Sequence, residues 1–498
     1  MNSGDKDIKT KSLADLGLTA QSGEEASITG ISTDSRTVKP GHLFAALPGV
    51  KMHGGTFIQF ALRMEAGAIL TDLEGAEIAR EELQSSQIAL VVTEDPRQAL
   101  AYASALWFGA QPASMVAVTG TNGKTSVASF TRQIWSELGL NAVNLGTTGV
   151  EGAYSAPLNH TTPEPVTLHR MLARLAREGV THAAMEASSH GLAQRRLDGV
   201  HLMAAAFTNF TQDHLDYHAD FQEYFEAKAG LFKRVLAQDG VAVINLDDPK
   251  GAQMRAVAAA RGHRVLTVGQ GEACDLRLLG QRFDAVGQEL RFEFGGRQRQ
   301  ARLDLIGGFQ ASNVLVAAGL AIGCGADPDA VFETLGTLET VRGRMERAGT
   351  RDNGAAVFVD YAHTPDALAT ALQALRPHVM GRLVVVFGAG GDRDRGKRPL
   401  MGEAARLHAD VAFVTDDNPR TEAPAQIRAE ILGAIPQANE VADRAEAILR
   451  GVDALGSGDA LLVAGKGHET GQIVGDDILP FDDVEQASVA IAALEGRI

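Results

Sequence analysis

Cysteine is almost missing from this sequence: Cys274 and Cys324 are the only two among 498 residues. Two thiols cannot build a disulfide framework or a four-cysteine zinc site, so both are expected to be reduced and structural. Long apolar runs are missing too, and none approaches the roughly 18 residues that a membrane-spanning helix needs. The first stretch, MNSGDKDIKTKSLADLG, contains no apolar signal core, and a cytoplasmic protein is expected. Cations are outnumbered, 46 Lys and Arg against 62 Asp and Glu, and the net charge of −16 argues against nucleic acid as the main ligand. The remainder is an ordinary globular composition, 45% hydrophobic and 22% charged. At roughly 150 residues per domain, a chain of this length suggests about three domains.

What is present is organised around Met115-Val-Ala-Val-Thr-Gly-Thr-Asn-Gly-Lys-Thr-Ser126. The apolar run 115–118 reads as a buried strand, Gly120 and Gly123 permit a tight turn, and residues 127–138 have helical spacing. Strand, glycine loop and helix start form a phosphate cradle. Backbone N–H groups and the positive helix end face the anion, Lys124 adds a charge, and Thr125 can hold Mg²⁺. The usual P-loop has a glycine six residues before the lysine. Val118 stands there, so GTNGKT is a shortened variant. The competing reading is an ordinary glycine turn before a helix.

Ahead of this stretch, strands are expected over 28–32, 42–47, 68–71 and 88–92, and helices over 56–66 and 96–108. They make a small α/β domain, 1–112, closed by the linker Gly109-Ala-Gln-Pro112. Its loops Thr33-Asp34-Ser35-Arg36 and 49–55 are either solvated turns or a pocket for a polar, phosphate-bearing ligand. The central domain, 113–342, is expected to continue with strands near 141–144, 181–186, 203–207 and 241–245. Helices over 166–177, 221–235 and 252–261 lie between them, an alternation that implies a mostly parallel sheet covered on both faces. Ligands bind such sheets at the carboxyl ends of the strands. Glu186 and His214 fall at such ends, as structural groups or as ligands of the P-loop Mg²⁺. Lys228 lies in an apolar helix, where a surface lysine is the plain reading. Alternation with glycine turns from about 270 to 305 suggests an antiparallel hairpin added to the sheet, followed by a helix over 314–323. The charged turn Glu339-Thr-Val-Arg-Gly-Arg344 suits a hinge.

The last domain, 343–498, is expected to be Rossmann-like α/β. Its strands are placed over 355–359, 382–387, 411–415 and 460–463, and its helices over 365–375, 399–408, 425–435 and 443–452. Gly388-Ala-Gly-Gly391 is only a weak dinucleotide fingerprint, because the third glycine is missing and arginines follow. Four charged loops at one sheet edge suggest a charged substrate.

GTNGKT, the Glu186 strand end, DHLDYH at 213–218, Lys228, VRGRME at 341–346, DYAHTPD at 360–366, GGDRDRGKR at 390–398, DNPR at 417–420 and GKGHE at 465–469 together resemble the Mur ligases. The resemblance covers nearly the whole chain from about residue 28. It implies an ATP-dependent, ADP-forming amide ligase of peptidoglycan precursor synthesis. Such an enzyme adds meso-2,6-diaminopimelate to UDP-N-acetylmuramoyl-L-alanyl-D-glutamate through an acyl phosphate. By that resemblance Thr33, Ser35, Val50, Lys51 and Met52 hold the UDP end, and His160, Thr161, Thr162, Ser188, Gln194 and Arg196 hold the sugar and peptide. ATP is bound by Gly120, Thr121, Asn122, Gly123, Lys124, Thr125 and Ser126, with Asn313 and Arg344. Mg²⁺ is held by Thr125, Glu186, His214 and Lys228, the last carrying a CO₂-derived carbamate, and Lys124, Lys228 and His214 are the catalytic set. Arg393, Asp417, Asn418, Pro419, Arg420, Gly465 and Glu469 bind the diamino acid. The nucleotide motif reads FQASN at 309–313, with Gln310 where the family pattern FNxxN has asparagine. The resemblance implies a monomer acting on small molecules, with no nucleic acid and no membrane span. Two alternatives remain at this point: a folylpolyglutamate synthetase, which shares the variant P-loop, and a nucleotide-driven switch protein.

Overall fold

The computed structural model describes residues 10–49, 52–211, 217–218 and 220–498; Val50, Lys51 and His214 lie outside the described residues. A ten-stranded sheet fills the middle of the chain, in the order Arg297–Leu303, Gly287–Phe294, Leu276–Asp284, Arg264–Gly269, Leu236–Asn245, Leu202–Phe207, Ser114–Thr119, His182–Glu186, Ala142–Gly146 and Gly149–Gly152. The strands from Arg264–Gly269 to Ala142–Gly146 in that order are parallel. Ser114–Thr119 is buried on both faces, as a central parallel strand must be. Val116 and Val118 pack under the helices Lys124–Glu137 and Phe309–Gly323, while Met115 and Ala117 face Pro165–Arg177 and Phe221–Gly230.

The expected hairpin is a three-stranded antiparallel extension of this sheet, Leu276–Asp284, Gly287–Phe294 and Arg297–Leu303. Arg264–Gly269, which was not expected, joins it to the parallel part. The helix expected over 221–235 stops at Gly230 and continues as a widened π-turn, Leu231–Val235. A four-stranded parallel sheet, Gly30–Ser32, His42–Ala45, Ala68–Thr71 and Ala89–Val92, precedes the central one. A six-stranded sheet follows it, parallel except for the edge strand Glu346–Thr350, with an apolar cluster on each face. Three α/β units, with a doubly wound last one, match the expected fold class. Among the described residues no helix is long and apolar enough to cross a membrane.

The last unit touches the central one beyond the chain connection. Ile306 is buried in the last unit's core with Leu372 and Leu375. Beside it, His378 Nε2 accepts from Gly307 N–H at 3.1 Å while Nδ1 donates to the Asp284 carbonyl at 2.6 Å. That pairing requires a neutral ring, and burial lowers the His378 pKa accordingly. His378→Ala leaves a buried donor and acceptor unmatched and is expected to cost on the order of 1–3 kcal/mol by chemical denaturation. Unchanged stability would contradict this joint.

His169, on the helix Pro165–Arg177, is 2% exposed. Burial, aided by the charge of His201, pushes its pKa down to about 4 from 6.5. Because the folded value is the lower one, the unfolded chain binds more protons between these pH values. The stabilisation is complete above pH 6.5 and is lost as pH falls towards 4, an expected change on the order of 3 kcal/mol. His169→Gln should flatten the stability profile in that window relative to the parent. Parallel profiles would contradict the assignment.

Candidate functional site

The cradle is built where the strand Ser114–Thr119 turns into the helix Lys124–Glu137. Gly120 has φ 152°, and a Cβ there would lie 1.9 Å from Thr208 Oγ1; Gly123 has φ 84°, and its Cβ would lie 2.6 Å from Asn313 Oδ1. Only glycine fits either place. The neighbouring strand end fixes the loop: Thr121 N donates to Asn209 O (3.0 Å), Asn122 N to Asn209 Oδ1 (2.8 Å), and Thr208 Oγ1 to Asn122 O (2.6 Å). Lys124 folds back across it, with Nζ 2.9 Å from Gly120 O and 2.7 Å from Thr121 O. Lys228 is buried rather than on the surface. Its Nζ donates to the same Gly120 carbonyl at 2.7 Å and lies 4.4 Å from the centre of the Tyr224 ring.

Glu186 ends the strand His182–Glu186 and is buried. Its Oε1 accepts from Thr147 N at 2.7 Å and its Oε2 from Thr147 Oγ1 at 3.3 Å, and the same hydroxyl meets Thr161 Oγ1 at 3.0 Å. Thr162 Oγ1 donates to Glu186 O (2.9 Å) and accepts from Ser188 N (3.0 Å), while Arg196 Nη1 donates to Thr162 O (2.6 Å). Gln194 is held between Arg196 and Tyr217. From the last unit, Arg344 Nη2 donates to Thr125 Oγ1 at 3.3 Å, and its guanidinium stacks 4.6 Å from the Tyr361 ring. Asn313 Nδ2 donates to Gln310 Oε1 at 3.1 Å, so the glutamine of FQASN orients the asparagine from the preceding turn.

One cavity of about 790 Å³, the size of a nucleotide-scale ligand site, opens among these groups, although Gly120 and Gln194 are not in its wall. Thr121–Ser126, His160, Thr161, Thr162, Glu186, Ser188, Arg196, Lys228, Asn313, Arg344 and Arg393 all line it. Thr33, Ser35 and Met52 line a separate cavity of about 670 Å³ in the first unit, together with Phe44, Phe57 and Phe60.

The DNPR and GKGHE residues form a network of their own. Asn418 Nδ2 donates to Glu469 Oε2 (2.9 Å), and Lys466 Nζ donates to Asn418 Oδ1 (2.7 Å). Asp417 is buried below Gly465, whose Cβ would lie 2.6 Å from Asp417 Oδ2. Burial pushes the Asp417 carboxyl up, but the charges of Arg444 and Lys466 outweigh it and hold it below its ordinary value. Arg420 closes Pro419's turn with φ 51° and donates to Gly391 O at 2.9 Å. Tyr361 and Arg393 both line the cavity, and partial burial, followed by the negative charge of Glu469, raises the Tyr361 hydroxyl above its ordinary value.

Thr147 was missed by the sequence reading. The expected strand ended at 144, but Ala142–Gly146 carries Thr147 at its carboxyl end, where the strand-end rule would have found it. Among the described residues no three His, Cys, Asp or Glu side chains cluster as a ready-made metal site.

A glycine cradle at the carboxyl edge of a parallel sheet, faced by a second doubly wound unit, defines a multidomain P-loop-type α/β protein. Three family models match: "Mur ligase family, catalytic domain" over 27–107, "Mur ligase middle domain" over 118–321 and "Mur ligase, glutamate ligase domain" over 343–467. The chain belongs to the Mur ligase family. It is 50% identical over 470 residues to the UDP-N-acetylmuramoyl-L-alanyl-D-glutamate--2,6-diaminopimelate ligase of Bradyrhizobium diazoefficiens, covering 94% of this chain and 95% of that protein. It is 49% identical to the ligase of the same name from Caulobacter vibrioides, covering 98% and 99%. A solved structure carrying that name superposes with a TM-score of 0.72 at 34% identity, covering 98% of this chain and all of the other. A Mycobacterium tuberculosis folylpolyglutamate synthase shares the fold, with a TM-score of 0.63 at 20% identity over 81% of this chain and 95% of that one.

Proposed function

We infer that the protein is an ATP-dependent, ADP-forming ligase that joins meso-2,6-diaminopimelate to UDP-N-acetylmuramoyl-L-alanyl-D-glutamate, a step of peptidoglycan precursor synthesis. The observation that carries this is the single cavity into which the P-loop, Glu186 and Lys228 project from the central unit and Arg344 and Arg393 from the last. The reading divides the chain near residues 112 and 342. The first-unit cavity, with Thr33 and Ser35, takes the UDP end, and the DNPR–GKGHE network takes the amino acid. Folylpolyglutamate synthesis would not need the first of these.

A carboxylate is a poor acylating agent. Phosphorylation by ATP turns it into an acyl phosphate, the amine attacks, and phosphate leaves from a tetrahedral intermediate. Carboxylate, γ-phosphate and the departing β-phosphate of ADP crowd three anions together in the first step, and the transferred phosphate leaves in the second. Lys124 and the N-terminal N–H groups of the helix Lys124–Glu137 offset that charge as it shifts. Arg344 joins the last unit to Thr125, which orients the two halves of the cavity and keeps water away from the acyl phosphate. The Thr125 hydroxyl and the Glu186 carboxylate, both in the cavity wall, are hard oxygen donors that would hold Mg²⁺, and a carbamate on Lys228 would add a third oxygen ligand. When bound, Mg²⁺ supplies charge neutralisation at the phosphates.

Release of ADP only when UDP-dipeptide and diamino acid are both present tests the reading, and equal release without them would favour a nucleotide-driven switch. Diaminopimelate differs from L-lysine by a carboxylate beside its distal amine, and an arginine fork matches such an anion. Arg420→Ala is expected to reduce use of diaminopimelate by roughly ten- to a hundredfold, the loss of a charge-assisted hydrogen bond worth on the order of 1.5–3 kcal/mol. Unchanged kcat/KM for diaminopimelate would remove Arg420 from the site.

A further inference from the structure

We propose that Arg398 is a positioning residue for amino-acid recognition, a buried guanidinium that locks the loop carrying Arg393 to the loop carrying Asn418 and Arg420. The proposal rests on the functional reading above and goes beyond it, because Arg398 faces neither cavity.

Arg398 lies near the start of the helix Lys397–His408 and its side chain is fully buried. Its Nη1 donates to Glu422 Oε2 (3.0 Å) and Glu430 Oε2 (2.8 Å), and its Nη2 to Glu422 Oε1 (2.8 Å) and Gly390 O (3.4 Å). Glu422 therefore receives both prongs of the fork, the geometry in which arginine differs most from lysine. The hydrogen bonds from Arg398, followed by the one from Asp392 N, hold the Glu422 carboxyl down to about 2, so the pair stays ionised at neutral pH.

Glu422 passes this anchoring to the loop that carries Arg393. Its Oε1 also accepts from Asp392 N at 2.6 Å, and Asp392 is held in the left-handed region at φ 53°. The Asp392 carboxylate then accepts from Thr421 N (3.1 Å) and Thr421 Oγ1 (2.8 Å). One residue back, Gly391 N donates to Asn418 O at 2.9 Å, and Arg420 Nη1 donates to Gly391 O at 2.9 Å. The loops touch so closely that a Cβ at Gly391 would lie 1.9 Å from Pro419 O. Arg393 is the residue after Asp392, and Arg420 the residue before Thr421. Two non-glycine residues in left-handed conformations, Asp392 and Arg420, sit directly against this network. Such conformations persist only where the surroundings over-determine them. The fork of Arg398 on Glu422 and the Gly390 carbonyl supplies that constraint from inside the fold, so both arginines are aimed before any substrate binds.

A merely structural arginine would affect stability and all substrates alike. A positioning arginine affects one substrate. The test is steady-state kinetics of the full-length parent, Arg398→Met and Arg398→Lys, varying ATP, UDP-dipeptide and meso-diaminopimelate in turn, with Tm measured for each. Arg398→Met is expected to raise KM for the diamino acid at least tenfold, with KM for ATP and the UDP-dipeptide within twofold of the parent. Arg398→Lys, which keeps the charge but not the fork, should fall between the two. If Arg398→Met does not fold, Glu422→Gln removes the charge of the fork's acceptor and should show the same selective rise, smaller in size. Equal rises in all three KM values, or a lower Tm with no KM change, would overturn the proposal. The parent's own use of diaminopimelate is measured first. A parent that rejects it overturns the functional reading alone, and the comparison is then run with the amino acid that the parent does accept.

Discussion

Lys124→Ala is expected to lose turnover by roughly 10²–10³-fold or more, since one preorganised charge contact to a developing anion is worth about 3–4 kcal/mol. The ammonium crosses the mouth of the loop, bonded to the carbonyls of Gly120 and Thr121, and lines the central cavity. Those two bonds are local, and the loop is independently pinned by Thr208 and Asn209. Tm is therefore expected to fall by only a few degrees, at roughly 2–4 °C per kcal/mol lost. The check is an ADP-release assay beside a thermal melt. Turnover near that of the parent would remove Lys124 from the chemistry, and a collapsed melt would make it structural.

Lys228→Ala is expected to be nearly inactive, by about 10²-fold or more, and partly rescued by acetate. The side chain is buried, and its end lies against the P-loop carbonyl of Gly120. As an ammonium it would repel a divalent cation near Glu186. As a carbamate, the state proposed above, it would be an anionic oxygen ligand in the same cavity. Truncation alone opens a buried gap and costs stability, so lost activity by itself does not separate the two states. Rescue does, because a small carboxylate restores the oxygen but not the packing. Lys228→Arg keeps charge and reach yet cannot carry the carbamate in this way. Full activity in that variant would contradict the assignment.

The sequence was most legible where local chemistry marks a boundary. The helices Pro96–Phe108 and Pro365–Leu375 fall where they were expected because each begins with proline at its first position behind an N-cap, Asp95 or Thr364. The P-loop was legible because a strand, two glycines and a lysine share one short stretch. Long-range contacts were hidden. Nothing near Lys228 in the sequence says that it is buried against Gly120, and nothing near Glu186 points to Thr147, because each partner comes from a different strand end. Arg398 closes the stretch GGDRDRGKR, and nothing in that stretch marks it as buried. Its burial depends on Glu422 and Glu430, which lie beyond the next strand. The motif residues were visible in sequence, whereas the groups that aim them emerge only from folding.

The central claim is that this chain adds a diamino acid carrying a distal carboxylate to a UDP-linked dipeptide at the expense of ATP. The most direct measurement is mass spectrometry of the product formed by the purified full-length protein. The reaction contains UDP-N-acetylmuramoyl-L-alanyl-D-glutamate, ATP, Mg²⁺ and equal concentrations of meso-diaminopimelate and L-lysine. The expected result is a single tripeptide product with the mass of the diaminopimelate adduct and one ADP per adduct, because L-lysine would leave a desolvated arginine without a partner. Equal incorporation of lysine, or ADP release without any adduct, would contradict it.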